Sequence, residues 1–162
     1  MVLLRYLYVV ALVVWVGGLI VAGALVAPSV FGVLQTWNEV QGRVLAGQVF
    51  GEILLRLTWL SYLMGAVMFV TLTLHRLLGA RPPRYGVRVG IMGVMLLMML
   101  ATGFWAIPQV NAIQARVAGP VSALAATDPL RVEFDRLHGL SNILFAVTAL
   151  GGLALCFWET RE

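Results

Sequence analysis

The sequence predicts an all-α integral membrane protein, a four-transmembrane-helix bundle with an outer amphipathic helix between helices 1 and 2. Of its 162 residues 61% are hydrophobic and 11% are charged, and the mean hydropathy is +0.95, whereas a soluble domain has about 25% charged residues. In addition, four long stretches lack Asp, Glu, Lys and Arg. Each is long enough for a helix to cross a bilayer core of about 30 Å.

We place the four spans at residues 6–30, 57–76, 88–108 and 137–158 of a single membrane domain, residues 1–162. Span one follows Arg5, and its apolar run is longer than the roughly 7–15 residues of a signal peptide. We therefore expect it to remain as a transmembrane helix rather than to be cleaved. Small residues predict close packing between the spans, at Gly17-Gly18, at Gly86, Gly90 and Gly93, and at Gly151-Gly152.

The segment from Trp37 to Gly51, between spans one and two, has the pattern of an amphipathic helix. Its apolar residues recur at helical spacing, for example at Val40 and Val44, and Glu39 lies one helical turn before Arg43. We expect this helix to lie at the outer membrane interface and to lead into span two.

The chain between spans three and four contains a helix end and a helix start. Beyond Pro108, residues Val110, Ile113 and Val117 keep helical spacing, so span three should extend outward until Gly119-Pro120 stops it. Asp128-Pro129 then supplies an N-cap followed by proline at the first helical position. The fourth helix should therefore begin about nine residues before His138.

The arginines predict the orientation of the spans. The loop between spans two and three carries four arginines and no acid, namely Arg76, Arg81, Arg84 and Arg88 around Pro82-Pro83. Such a loop is expected on the cytoplasmic side. Because the number of spans is even, both termini, with Arg5, Glu159, Arg161 and Glu162, should be cytoplasmic too, in a cell inner membrane.

Polar residues cluster where the fourth span begins. His138, Ser141 and Asn142 share one helix face with Phe134, and polar groups inside a membrane helix are costly when they face lipid. With the predicted topology they meet other polar residues at the outer end, whereas the inner half of the spans offers few polar groups. The predicted polar network consists of Glu52, Arg56, Asn111, Asp135, Arg136, His138, Ser141 and Asn142.

Three interpretations of this network are open. It could bind a small polar solute or a metal ion from the outer side, with His138 as the candidate metal ligand. It could be a hydrogen-bonded network that only fixes the fourth helix. Alternatively, the protein is an accessory structural subunit of a larger membrane complex, or a homo-oligomer, that packs against partner helices, lipid or pigment.

Several other classes of function are not expected. The arginines are scattered rather than clustered, which gives no basis for nucleic-acid binding, and no serine has a histidine and a carboxylate at the spacing of a hydrolase triad, so we expect no enzyme. His75 and His138 belong to opposite ends of the bundle and cannot ligate one haem iron together. A single histidine on a porphyrin or chlorophyll stays open as a cofactor.

Four stretches of the chain together resemble a known family. They are Trp15-Val16-Gly17-Gly18, Ala27-Pro28-Ser29-Val30-Phe31, Trp105-Ala106-Ile107-Pro108-Gln109-Val110-Asn111 and Phe134-Asp135-Arg136-Leu137-His138-Gly139-Leu140-Ser141-Asn142. In this order they are similar to the transmembrane protein 205-like proteins, whose bacterial relatives contain a domain of unknown function. The fourth stretch is the specific one, since tryptophan and paired glycines are common in membrane helices.

This resemblance implies a four-helix integral membrane protein but no agreed biochemical activity. The family's aromatic-Arg-x-His-Gly-x-Ser pattern corresponds to Phe134, Arg136, His138, Gly139 and Ser141. A more distant likeness to membrane proteins of the CopD type, which confer copper resistance, points to metal handling. However, the chain lacks their clusters of methionine and histidine, and core packing explains its mid-span methionines, which are Met92, Met95, Met98 and Met99.

Overall fold

A computed structural model describes residues 2–79 and 84–160. Its long helices are α1 (Val2–Trp37), α2 (Glu39–Leu78), α3 (Tyr85–Gln114) and α4 (Pro129–Glu159), and each is long and apolar enough to cross a membrane. No strand occurs in the described residues, so the predicted all-α bundle of four membrane helices is confirmed. The predicted orientation depends in part on residues outside the described ranges. They are Arg81, Pro82 and Pro83 of the arginine-rich loop and Arg161 and Glu162 at the C-terminus.

Helices α1 and α2 form an antiparallel hairpin with a single connecting residue, Asn38. Its backbone is extended (φ −157°, ψ 121°), and its side chain accepts a hydrogen bond of 2.8 Å from the Gln41 backbone N–H, which satisfies a free donor at the start of α2. Four residues later, Gly42 lies directly against the backbone carbonyl of Leu34. Only a residue without a side chain fits between the two helices at this point.

The predicted outer amphipathic helix is the first part of α2. Because α2 has 40 residues, it is about 60 Å long at 1.5 Å per residue and exceeds the bilayer core by far. Residues 39–51 continue the axis of span two and pack against the end of α1, where the rings of Phe31 and Phe50 meet edge to face at 6.3 Å. The expected segment is thus helical, but it is not separate from span two.

Both odd-numbered helices contain a wide π-helical turn just before a proline. The turn Ala22–Val26 precedes Pro28 in α1, and the turn Thr102–Ala106 precedes Pro108 in α3. A proline has no N–H and its ring clashes with the carbonyl four residues earlier, and the extra residue in a π turn relieves that clash. Helix α1 therefore continues past the predicted end of span one, and α3 extends beyond Pro108 as the sequence predicts.

The main core lies between α1 and the other three helices. Trp15, Met68, Met92 and Met95 are fully buried in it, so the methionines have the packing role that the sequence predicts. The predicted close packing holds for Gly18, Gly151 and Gly152, where an added Cβ would lie within 3.0 Å of Leu57, Met95 and Val16, respectively. At several other glycines, no atom of the described residues lies within 4 Å of the Cβ position. These are Gly17, Gly86, Gly90 and Gly93.

A smaller core joins the end of α3, the 3-10 turn Val121–Ala123 and the start of α4. Its buried residues are Ile113, Val121 and Leu137. The α1–α2 hairpin and the α3–α4 hairpin each pack mainly within themselves at this end of the bundle. We call it the Asn38 end and the opposite one the Arg88 end.

Candidate functional site

An open cavity of about 530 Å³ lies between the two hairpins at the Asn38 end. Its size falls within the range of small-molecule sites, roughly 300–1,000 Å³. All four helices and the α3–α4 loop contribute to its wall. Its lining includes Phe31, Arg43, Val44, Gly47, Gln48, Asn111, Gln114, Val121, Ser122, Phe134 and His138.

One side chain connects the two hairpins across this cavity. Arg43 of α2 donates a hydrogen bond of 2.9 Å from Nη1 to the Ser122 hydroxyl of the α3–α4 loop, and another of 3.3 Å from Nη2 to the Gln35 amide oxygen of α1. Arg131 of α4 stabilises the same loop, because its Nη1 donates to the backbone carbonyls of Ser122 (3.2 Å) and Leu124 (2.6 Å). The loop is therefore held in place by two arginines.

His138 reaches the cavity from the first part of α4. As predicted, Asp128 caps this helix by accepting a 2.8 Å hydrogen bond from the Leu130 N–H, with Pro129 at the first helical position. One turn apart on α4, the His138 and Phe134 rings stack with 5.8 Å between their centroids. The helix start thus sets the position of the imidazole, and Phe134 supports one of its faces.

Of the eight residues in the predicted polar network, Asn111 and His138 line the cavity. The structure brings together one further pair, since Arg56 donates a 2.8 Å hydrogen bond to Glu52. Both of these side chains are exposed, and their ion pair lies on the surface of α2 rather than at the cavity. Such an exposed pair contributes roughly 0.3–0.5 kcal/mol.

The other four members of the predicted network lie outside the cavity lining. Asp135 pairs with Arg131 at 3.8 Å on the surface of α4. Ser141 donates its hydroxyl hydrogen to the Leu137 carbonyl of its own helix, and Arg136 and Asn142 are exposed. The residues of the predicted network therefore share the Asn38 end, but most of them do not contact one another.

Four polar cavity residues are missing from the predicted network, namely Arg43, Gln48, Gln114 and Ser122. The sequence contains a signal for Gln114, which shares a helix face with Asn111 three residues earlier. Arg43 and Gln48 look like the solvated face of an interfacial helix. Ser122 lies in a loop, where periodicity gives no information.

The described residues offer little support for a metal centre. Within residues 2–79 and 84–160, no three side chains of His, Cys, Asp or Glu come close enough to hold an ion together. The described residues that accompany His138 in the cavity wall include amides, a serine and an arginine but no carboxylate. A first-row metal site usually needs several such ligands at once.

The most buried charges lie at the Arg88 end. Arg88 of α3 donates a 2.5 Å hydrogen bond to Glu159 at the end of α4, and Arg5 of α1 approaches the same carboxylate at 3.3 Å. The Arg88 and Glu159 side chains are 4% and 10% exposed. The sequence predicts few polar groups in this half of the bundle. This prediction is wrong at the Arg88 end, where an ion-pair cluster joins three helices.

Comparison with known proteins identifies one family. The model of a domain of unknown function, DUF4149, matches residues 10–119. The match covers three of the four stretches described above and ends before the stretch from Phe134 to Asn142. No curated protein and no solved structure matches the chain.

Proposed function

Because the chain belongs to the DUF4149 family, whose function is unknown, we propose a role from its own residues: the cavity at the Asn38 end binds a small polar solute. One observation carries this proposal. The cavity combines a volume of about 530 Å³ with polar side chains from three helices and a loop. Gln48, Asn111 and His138 make no side-chain hydrogen bond to the described part of the chain. Their donors and acceptors are therefore available to a ligand.

We further propose that this end faces the outer side of a cell inner membrane. Arg5 and Glu159 are in contact near the two ends of the chain, and Arg76 and Arg84 lie at the same end, over the rings of Tyr85 and Trp158. An excess of arginine favours the cytoplasmic side for the Arg88 end. The proposed orientation leaves the cavity open to the outside.

The proposed role is binding without catalysis, and a solute is better supported than a metal ion. Ser122 and His138 both line the cavity, but among the described residues no carboxylate lines it with them as the third member of a hydrolase triad. The apolar outer faces of the helices suit lipid and partner helices alike, and they favour neither the accessory-subunit role nor a homo-oligomer. A relationship to the transmembrane protein 205-like proteins is likewise proposed, from the stretch Phe134 to Asn142.

Thiol labelling of the purified full-length protein tests the proposal. The natural cysteine, Cys156, is first replaced by alanine, and Asn111→Cys then places a single thiol in the cavity wall. The probe is hydroxyethyl methanethiosulfonate, a small neutral polar reagent that forms a mixed disulfide with an accessible thiol. We expect it to react at Asn111→Cys, since the cavity is open.

A matched pair of substitutions on α2 shows whether labelling proceeds through the cavity. An added Cβ at Gly47 points towards the Gln114 amide at 3.8 Å, whereas Gly51, one turn later, is not part of the wall and has no atom within 4 Å. Gly47→Phe should slow the reaction at Asn111→Cys by about tenfold or more, because a phenyl ring fills space that the reagent needs. Gly51→Phe should leave the rate unchanged. Equal rates in both variants would refute the cavity as the binding place.

A further inference from the structure

The cavity wall contains a positive charge, that of Arg43, which forms no ion pair with an acid of the described chain. The contacts of the Arg43 guanidinium are with two neutral oxygens, those of Ser122 and Gln35. In the part of the chain that the structure describes, no carboxylate oxygen lies within 4.0 Å of its nitrogens. Glu52 and Asp135, which belong to the same end, pair with Arg56 and Arg131 instead.

The rest of the polar wall offers hydrogen-bond donors without negative charge. Gln48, Asn111 and Gln114 each carry an amide NH₂, and His138 carries a ring N–H. Amides can also accept hydrogen bonds, so by themselves they select no charge. Arg43 makes the difference, because its charge attracts an anion and repels a cation at this wall.

The remaining wall is apolar. Phe31 of α1, Val44 of α2, Val121 of the loop and Phe134 of α4 present carbon surface to the cavity. A small hydrated ion would leave this surface in contact with water, whereas an apolar group would remove it from water, which is favourable. The lining therefore fits a ligand with two parts, one charged and one apolar.

We infer that the ligand is an oxyanion, a carboxylate or a phosphate ester, attached to an apolar body, with Arg43 as the residue that binds its charge. This inference rests on the proposed function and names the chemical class of the solute. A soluble metabolite and the headgroup region of an anionic lipid can both supply this chemistry. A guanidinium suits either oxyanion because its N–H groups form two parallel hydrogen bonds with carboxylate or phosphate oxygens.

The first test uses charged versions of the labelling reagent. Labelling rates at Asn111→Cys are measured with the anionic sulfonatoethyl and the cationic trimethylammonioethyl methanethiosulfonates. Each rate is divided by the rate of the same reagent at Ala126→Cys, an exposed loop position outside the cavity. We expect the anionic reagent to be favoured by roughly fivefold, since one nearby unit charge in water attracts one reagent and repels the other. Arg43→Gln should abolish this preference.

The second test measures protection of Asn111→Cys by ligands of matched shape. Benzoate and benzamidine have nearly the same size but opposite charge, and inorganic phosphate is an oxyanion without an apolar body. Benzoate should slow labelling, whereas benzamidine and phosphate should have little effect, and Arg43→Gln should remove the protection by benzoate. Addition of phosphatidylglycerol, with phosphatidylcholine as control, covers the lipid source. Protection by either benzoate or phosphatidylglycerol is sufficient to support an oxyanion with an apolar body.

The two proposals fail in different ways. If the neutral reagent enters and Gly47→Phe blocks it, but neither charge preference nor protection depends on Arg43, the anion inference is wrong and solute binding stands. If Gly47→Phe has no effect on any reagent, solute binding itself is wrong. Because Arg43 also bridges the hairpins, the neutral-reagent rate in Arg43→Gln serves as the control, and an unchanged rate shows that the cavity has kept its shape.

Discussion

Replacement of Gly42 by alanine should loosen the hairpin that forms one side of the cavity. An added Cβ at Gly42 would lie 2.5 Å from the carbonyl carbon of Leu34 and closer still to its oxygen, whereas real Cβ atoms essentially never approach other atoms within 3.0 Å. The obstacle is backbone, so no side chain can rotate away. With Asn38 as the only connecting residue, the two helices cannot separate without a change in their turn.

The expected cost is about 2 kcal/mol. Overpacking of a tight contact costs about 1–3 kcal/mol, and a rigid backbone neighbour places this contact near the upper limit. Alanine recovers roughly 0.5–1 kcal/mol of helix propensity relative to glycine. The matched control is Gly47→Ala on the same helix, where the new Cβ meets only the Gln114 amide at an ordinary 3.8 Å, so that this variant should be as stable as the parent or slightly more.

Hydrogen exchange measured by mass spectrometry on the protein in non-ionic detergent tests this expectation. Amides of residues 27–51 should exchange about 30-fold faster in Gly42→Ala, which is the factor for 2 kcal/mol when local opening precedes exchange. Exchange around Trp15 in the main core and exchange in Gly47→Ala should not increase. If residues 27–51 exchange at the same rate in both variants, the tight hairpin described above is wrong.

Three further substitutions test other parts of the structure. Glu159→Gln should lower the free energy of unfolding in mixed detergent and dodecyl sulfate micelles by about 3 kcal/mol, because it removes one partner of a buried ion pair with Arg88; an unchanged midpoint would show that the pair contributes nothing. Asn38→Ala should cost about 1 kcal/mol through loss of the N-cap, with exchange at residues 39–42 as the measurement, and no effect there would contradict the cap. Gly152→Leu should strongly reduce the thermal midpoint in detergent and Gly90→Leu should not, since only Gly152 of these two glycines faces a close neighbour. Equal midpoints would contradict the close packing of α1 on α4.

The sequence predicts the four membrane helices well because an uncharged run of about 20 residues has few alternatives in a lipid bilayer. The helix ends were less predictable. Span one is predicted to end at residue 30, yet the π turn before Pro28 lets α1 continue to Trp37. The extension of α3 past Pro108 is predictable, because Val110, Ile113 and Val117 keep helical spacing. Whether a proline ends a helix depends on tertiary packing as well as on the local sequence.

The same limit applies to the cavity. His138 and Asn111 could be found because polar residues on a membrane helix stand out against apolar neighbours. Arg43 and Gln48 belong to an amphipathic segment, and spacing alone cannot distinguish a helix lying flat on the membrane from one continuing upright. With Asn38 as the single connecting residue, α2 runs antiparallel to α1. This arrangement directs the Arg43 and Gln48 side chains towards α3 and α4.

The buried ion pair was missed for a different reason. Arg88 and Glu159 are 71 residues apart, and in the sequence both look like charges flanking a membrane span. Local patterns give no information on contacts between helices that are distant in the chain. The absence of a close neighbour at Gly86, Gly90 and Gly93 has the same origin, since a stripe of small residues shows which face could pack closely but not whether another helix reaches it.

Labelling of sealed, right-side-out membrane vesicles with the impermeant sulfonatoethyl reagent tests the central claim most directly. The compared proteins carry a single thiol at Asn111→Cys, in the cavity wall, or at Gly86→Cys, an exposed position at the Arg88 end. An outward-facing cavity predicts rapid labelling of Asn111→Cys, suppression by Gly47→Phe but not by Gly51→Phe, and no labelling of Gly86→Cys until the vesicles are opened. Labelling of Gly86→Cys alone, or of Asn111→Cys regardless of Gly47→Phe, would contradict it.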